Sequence, residues 1–179
     1  MAYSQRILLT HAEHARRAPS REVLRLLRRL ELECRTRAEA EDLADVLAGL
    51  MPEPVQGRLG VMELLLNAIE HGNLEIGSKL KCQLLREHRF EDELAARAER
   101  EPYCRRRVRV TVRLAYPALE IEIRDEGPGF AWRAALGVEL EAGDSPNGRG
   151  IALVSRTCFP DLEYRDPGNV AVVRVTWPR

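Results

Sequence analysis

The segment Leu30-Glu31-Leu32-Glu33-Cys34-Arg35-Thr36 alternates apolar and polar side chains, the signature of a strand with one buried face. The period then changes. From Ala38 to Leu50 the apolar positions Leu43, Val46, Leu47 and Leu50 fall on one helical stripe, with Thr36 as the cap and Pro52 and Pro54 as the stop. A second helix is predicted from Val55 to Gly72, turning Leu59, Met62, Leu66 and Ile69 inward. Between Leu74 and Arg107 the chain is highly charged and lacks alternation. Its helical patches at 79–86 and 90–100, broken by Pro102, predict a helical insertion on the surface. Alternation returns in Val108 to Leu114 and Leu119 to Ile123, which meet across Tyr116-Pro117-Ala118 as an antiparallel hairpin. Residues 131–147, with Gly137, Gly143 and Pro146, read in part as a mobile loop. Gly148 to Cys158 is helical in pattern, and Leu162 to Arg165 and Val170 to Trp177 form a last hairpin turned at Asp166-Pro167-Gly168-Asn169. One mostly antiparallel, mixed sheet covered by helices on one face would bury these stripes, which makes the fold class α+β, a two-layer α/β sandwich.

A length of 179 residues suits one core with a modest extension, and the division expected is an N-terminal extension over 1–29 and a single domain over 30–179. The extension is partly helical by pattern, since Ser20 precedes leucines at helical spacing, whereas the first 19 residues are less legible. Lysines and arginines number 28, as do the acids, so charge gives no reason to expect nucleic acid or an anionic membrane. The basic runs Arg105-Arg106-Arg107 and Arg25 to Arg29 read as solvated faces diluted by acidic neighbours. The opening residues hold too short an apolar run for a signal peptide, and no stretch approaches a membrane span, so a cytoplasmic location is expected. Cys34, Cys82, Cys104 and Cys158 are widely spaced and read as free thiols rather than disulfides or a metal cluster.

Three stretches carry chemistry. Within Glu63-Leu64-Leu65-Leu66-Asn67-Ala68-Ile69-Glu70-His71-Gly72-Asn73, the side chains of Glu63, Asn67 and His71 recur every four residues and project from roughly one helix face. A carboxylate and an amide oxygen there suit Mg²⁺ or an ordered water, and spacing alone equally allows both to face solvent. In Asp125-Glu126-Gly127-Pro128-Gly129-Phe130 the acid sits at the carboxyl end of a strand, on a turn that Gly127 and Gly129 let bend sharply. A buried acid at that place can accept a hydrogen bond from an exocyclic amine and so tell adenine from guanine, although the same letters also make a generic turn. In Asn147-Gly148-Arg149-Gly150-Ile151 glycines open an apolar helix, whose free amides form an anion site to which Arg149 adds a charge-assisted contact. Glycine before a helix also occurs without any ligand.

Together, and in this order, the stretches resemble the N, G1 and G2 boxes of the GHKL superfamily, whose Bergerat fold binds ATP; the resemblance covers about residues 30 to 177. Among its members the chain is most similar to the anti-sigma-factor serine kinases of bacterial partner-switching systems. Sensor histidine kinases look less similar, because no phosphoacceptor helical hairpin precedes the domain. The resemblance implies ATP and Mg²⁺ as cofactors. It makes Glu63 the general base or water-ordering acid, Asn67 the Mg²⁺ ligand and Asp125 the acceptor of the adenine amine. It further makes Gly127 and Gly129 the turn that admits the nucleotide, Asn147, Gly148, Arg149 and Gly150 the phosphate side, and 131–147 the ATP lid. His71 and Asn73 belong to the N-box pattern without a further role. The implied function is a serine/threonine protein kinase that phosphorylates a STAS-type anti-anti-sigma protein and doubles as an anti-sigma factor toward a sigma factor, as a homodimer. The alternative is a nucleotide-gated binding module without significant phosphoryl transfer, such as one carried by a response regulator. The insertion at 74–107 is longer than in the compact Gram-positive kinases and resembles the insert of Gram-negative partner-switching proteins.

Overall fold

The computed structural model describes residues 26–133, 149–165 and 167–178. Five strands form one sheet in the order β1-β2-β3-β5-β4, and each of its four pairings is antiparallel. These are β1 (Arg29–Cys34), β2 (Val108–Ala115), β3 (Ala118–Arg124), β4 (Glu163–Arg165) and β5 (Val170–Thr176). Alternation sorts their faces as expected. Val108, Val110, Val112 and Leu114 on β2 and Leu119, Ile121 and Ile123 on β3 are buried beneath the helices. The opposite face carries Arg109, Arg113, Glu120 and Arg174 in cross-strand ion pairs, among them Arg113 with Glu120 at 3.2 Å and Arg174 with Glu120 at 3.0 Å. Such exposed pairs keep the face soluble and in register and add little stability each.

Two helices pack on the inner face, α1 (Arg37–Ala48) and α2 (Pro54–Asn67), followed by a π-helical turn, Ala68–Asn73. Thr36 caps α1 as its sequence predicts: its side chain accepts from the Glu39 amide while the Glu39 carboxylate accepts from the Thr36 amide, a full capping box. The stripe expected for α1 is corrected in one respect. Ala40, Ala44, Leu47 and Ala48 face the core, and Val46 is exposed. Alanines at the contact let α1 lie close to α2, so the small residues, not the large ones, mark the inward face.

The face of α2 is corrected as well. Gly57, Gly60, Val61, Leu64 and Leu65 are buried, whereas Leu59 is 61% exposed and Met62 and Leu66 are half-buried; only Ile69 of the expected set lies inside. The reason is again steric. A side chain at Gly60 would collide with Phe159, so the helix presents its glycine edge to the loop that leads into β4.

The predicted insertion is helical, with α3 (Ser78–Arg86), α4 (Phe90–Ala98) and a 3₁₀ turn at Tyr103–Arg105. It has its own apolar contacts through Leu84, Phe90 and Leu94. One basic residue there departs from the solvated reading. Arg106 reaches back to donate to the Asn73 carbonyl at 2.9 Å and to Glu75 at 2.7 Å while lying over the Tyr103 ring. Helix α5 (Arg149–Thr157) closes the layer against α2. The expected loop at 131–147 lies outside the described residues beyond Arg133, as does the extension before Leu26. Cys34, Cys82, Cys104 and Cys158 are free thiols, as their spacing suggested.

Candidate functional site

The described parts of the three sequence stretches converge at one end of the sheet, where α2 runs out and β3 ends. On α2, Glu63 and Asn67 are one turn apart and half-buried, and Asn67 Nδ2 donates to Glu63 Oε1 at 3.2 Å. That bond orients the amide. With its nitrogen committed to Glu63, Asn67 has Oδ1 left as its hard oxygen. One protein oxygen, completed by phosphate oxygens and waters, is a donor set that suits Mg²⁺, which rarely takes an all-protein cage. Among the described residues no group of three or more His, Cys, Asp or Glu side chains is placed to hold a metal ion.

Beyond Asn67 the helix widens. Leu74 donates to the Ile69 carbonyl five residues back, at 2.9 Å, the hydrogen bond of a π turn. The wider turn breaks the four-residue rhythm, so His71 leaves the face of Glu63 and Asn67. Instead its Nδ1 donates to the Ile76 carbonyl, which fixes the tautomer and ties down the end of the turn. The expectation of three side chains on one face therefore holds for two of them. Glu70, on the same turn, is 1% exposed and is held by Lys81 of α3 at 2.5 Å and Arg37 of α1 at 3.6 Å. A carboxylate this deep needs such partners.

The π turn is also the seat of the second stretch. Asp125 follows β3, is 9% exposed, and its Oδ1 accepts from the Gly127 amide at 2.8 Å. Its carboxyl rests directly on Gly72: a Cβ there would stand 2.3 Å from Asp125 Cγ. The neighbouring amide of Glu126 donates to Asn73 Oδ1 at 2.8 Å, and the backbone of Asp125 exchanges bonds with Asn169 on the closing hairpin. Burial pushes the Asp125 carboxyl up to about 6, against the opposing pull of the Gly127 amide and more distant arginines. Gly127 packs against the Gly72 carbonyl, and Gly129 takes a left-handed φ of 79° that brings it onto the Pro167 carbonyl.

Of the third stretch, Asn147 and Gly148 lie outside the described residues, and only the backbone of Arg149 is described. Gly150 is placed where it matters. A Cβ on it would come within 1.8 Å of Glu63 Oε1, so the first turn of α5 is pressed against the Glu63 carboxylate. The structure thus brings Glu63, Asn67 and Gly150 together on one side and Gly72, Asp125 and Gly127 on the other.

Several contributors escaped the sequence reading. Gly72 was read as a helix stop, yet it forms the floor under Asp125. Glu70 gave no signal beyond lying between motif letters, and Asn73, part of the N-box pattern, was given no role. Tyr164, on the inner face of β4, joins Phe130 edge-on at 5.1 Å and Trp132 in a stack at 6.5 Å, making an aromatic wall beside the site. Its only trace in the sequence was the alternation of a three-residue strand.

A family model described as a histidine kinase-like ATPase domain matches residues 13–177, a span that opens well before β1. Among curated proteins none matches the chain.

Proposed function

The chain belongs to the histidine kinase-like ATPase family, and from that premise we propose that it transfers the γ-phosphoryl group of ATP to a serine or threonine of a STAS-type anti-anti-sigma protein. The observation that carries the transfer step is the seat of Glu63. Its carboxylate is clamped between the Asn67 amide and Gly150 at the opening of α5, where a helix start meets a phosphate chain. Asp125 at the other end accepts the adenine amine, so the nucleotide lies from the buried acid to the glycine-led helix. Mg²⁺, held by Asn67 Oδ1, supplies charge neutralisation for the phosphate oxygens when bound.

The chemistry then needs little from the protein beyond placement. The acceptor hydroxyl forms its bond to the γ-phosphorus as the bond to the bridging oxygen of ADP breaks. Glu63 takes the hydroxyl proton. Unphosphorylated partner and a sigma factor compete for the same protein in this reading, so the kinase doubles as an anti-sigma factor.

The test is direct. After incubation of the protein, Mg-ATP and a STAS partner from the same organism, mass measurement should find one phosphate increment on a Ser or Thr, absent with Glu63→Gln. Nucleotide-dependent binding of the partner without any increment would instead identify a nucleotide-gated binding module. In that case the transfer step is refuted while the ATP site stands.

A further inference from the structure

Tyr164 lies where no box of the ATP site assigns a residue. It is 6% exposed, and its β4 backbone pairs with Ala171, which in turn pairs with Ile123. Asp125 lies two residues beyond Ile123, past the end of β3. The phenol therefore springs from the inner face two strands away from the strand that delivers Asp125, a lateral distance of about 10 Å at the usual strand spacing. A tyrosine side chain spans much of that gap.

The ring is fixed by contact with Phe130 and Trp132. The hydroxyl is not. No hydrogen bond among the described residues involves Tyr164 Oη, although buried phenols ordinarily find a partner. Among the described residues the fully enclosed, unpartnered side-chain atom is Asn73 Nδ2, and Tyr164 Oη is not of that kind. Burial, then the Asp125 charge, then the Glu63 charge hold the phenol protonated well above its ordinary range. It therefore lies within the field of both site acids and acts as a donor. Both carboxylates have their own contacts, with Gly127 and Asn67.

An O–H donor without an acceptor among the described residues, on a rigid aromatic wall within the field of both acids, awaits an acceptor from a ligand. We propose that Tyr164 is a further nucleotide-binding residue, whose hydroxyl donates a hydrogen bond to an acceptor atom of the nucleoside part of ATP, a ring nitrogen or a ribose oxygen. The inference rests on the ATP site of the proposed function. The nucleoside rather than the phosphates is assigned because Tyr164 rises from the sheet on the Asp125 side, whereas the phosphate side is built by α5 against Glu63.

The substitution Tyr164→Phe removes the hydroxyl and keeps the ring contacts. Calorimetric titration of the full chain with ADP, and competition by adenosine, should show affinity lowered about three- to tenfold for both, with the thermal midpoint of the ligand-free protein unchanged. Equal binding by variant and wild type would overturn the proposal and leave the ATP site intact. A loss seen with ADP but not with adenosine would move the hydroxyl to the phosphates and refute the nucleoside assignment. A lowered midpoint accounting for the whole loss would make the hydroxyl structural. Failure of the wild type to bind either ligand would refute the ATP site itself.

Discussion

In the proposed ATP site Asp125 should make nucleotide affinity a function of pH, and the size of the effect follows from its surroundings. With its carboxyl pushed up to about 6 by burial, the fraction ionised falls from about nine-tenths at pH 7 to about one-tenth at pH 5. Only the ionised acid accepts strongly from an adenine amine, so the dissociation constant should rise about tenfold over that interval. Asp125→Asn, which keeps an acceptor oxygen but loses the charge, should weaken binding by about 1 to 3 kcal/mol at pH 7. It should also flatten the profile. Titration calorimetry at half-unit steps from pH 5 to 7.5, on wild type and variant with the same nucleotide, separates the protein's titration from that of the phosphates, which both proteins share. The ligand-free protein provides a second reading of the same group. Because the folded pKa is raised above the unfolded value, the folded state holds the extra proton between about pH 4 and 6. Stability is therefore greatest at the acid end of that window and falls as pH rises through it, by up to about 3 kcal/mol for this group. Affinity that is flat from pH 5 to 7.5 in the wild type, or a profile that persists in Asp125→Asn, would refute the assignment of the buried acid to the base.

Three further outcomes can be checked with ordinary assays. Gly150→Ala should fold, since the Cβ meets only the end of the Glu63 side chain, yet phosphoryl transfer should drop by ten-fold or more while ADP affinity changes little, as read by turnover against titration. Lys81→Met should cost about 2 kcal/mol in a urea unfolding curve, because it strips Glu70, 1% exposed, of its nearer cation and leaves Arg37 at 3.6 Å. Cys34, whose thiol burial pushes up to about 12, should resist alkylation in the native protein long after Cys82, Cys104 and Cys158 have reacted, which peptide mass mapping would resolve.

The elements were legible where side chains of one kind repeat. The alternation on β1, β2 and β3 predicted both the faces and the hairpin, because a strand's period leaves no choice of face once one is buried. The helix faces were less legible. The buried faces of α1 and α2 include Ala40, Ala44, Gly57 and Gly60 beside their larger residues, so a search for large apolar residues alone misplaces them. Glu63 and Asp125 could be singled out because they stand in spaced motifs beside glycines. The π turn was not, since a single wide turn changes the phase of His71 without any change of composition. Glu70 and Tyr164 act through partners on remote segments, Lys81 on α3 and Phe130 after β3, and such tertiary pairs leave no local pattern.

The seats of the two acids give the glycines of these motifs a meaning in terms of volume. Asp125 occupies the room a side chain on residue 72 would need, and Glu63 the room a side chain on residue 150 would need. Each acid therefore fills the place a side chain on a distant segment would take, and each glycine leaves its acid undisplaced. The unit of change is the pair: shortening Glu63 to Asp would reopen the space that Gly150→Ala closes. Neither acid would keep its posture in another scaffold without both its amide partner and the glycine that leaves it room.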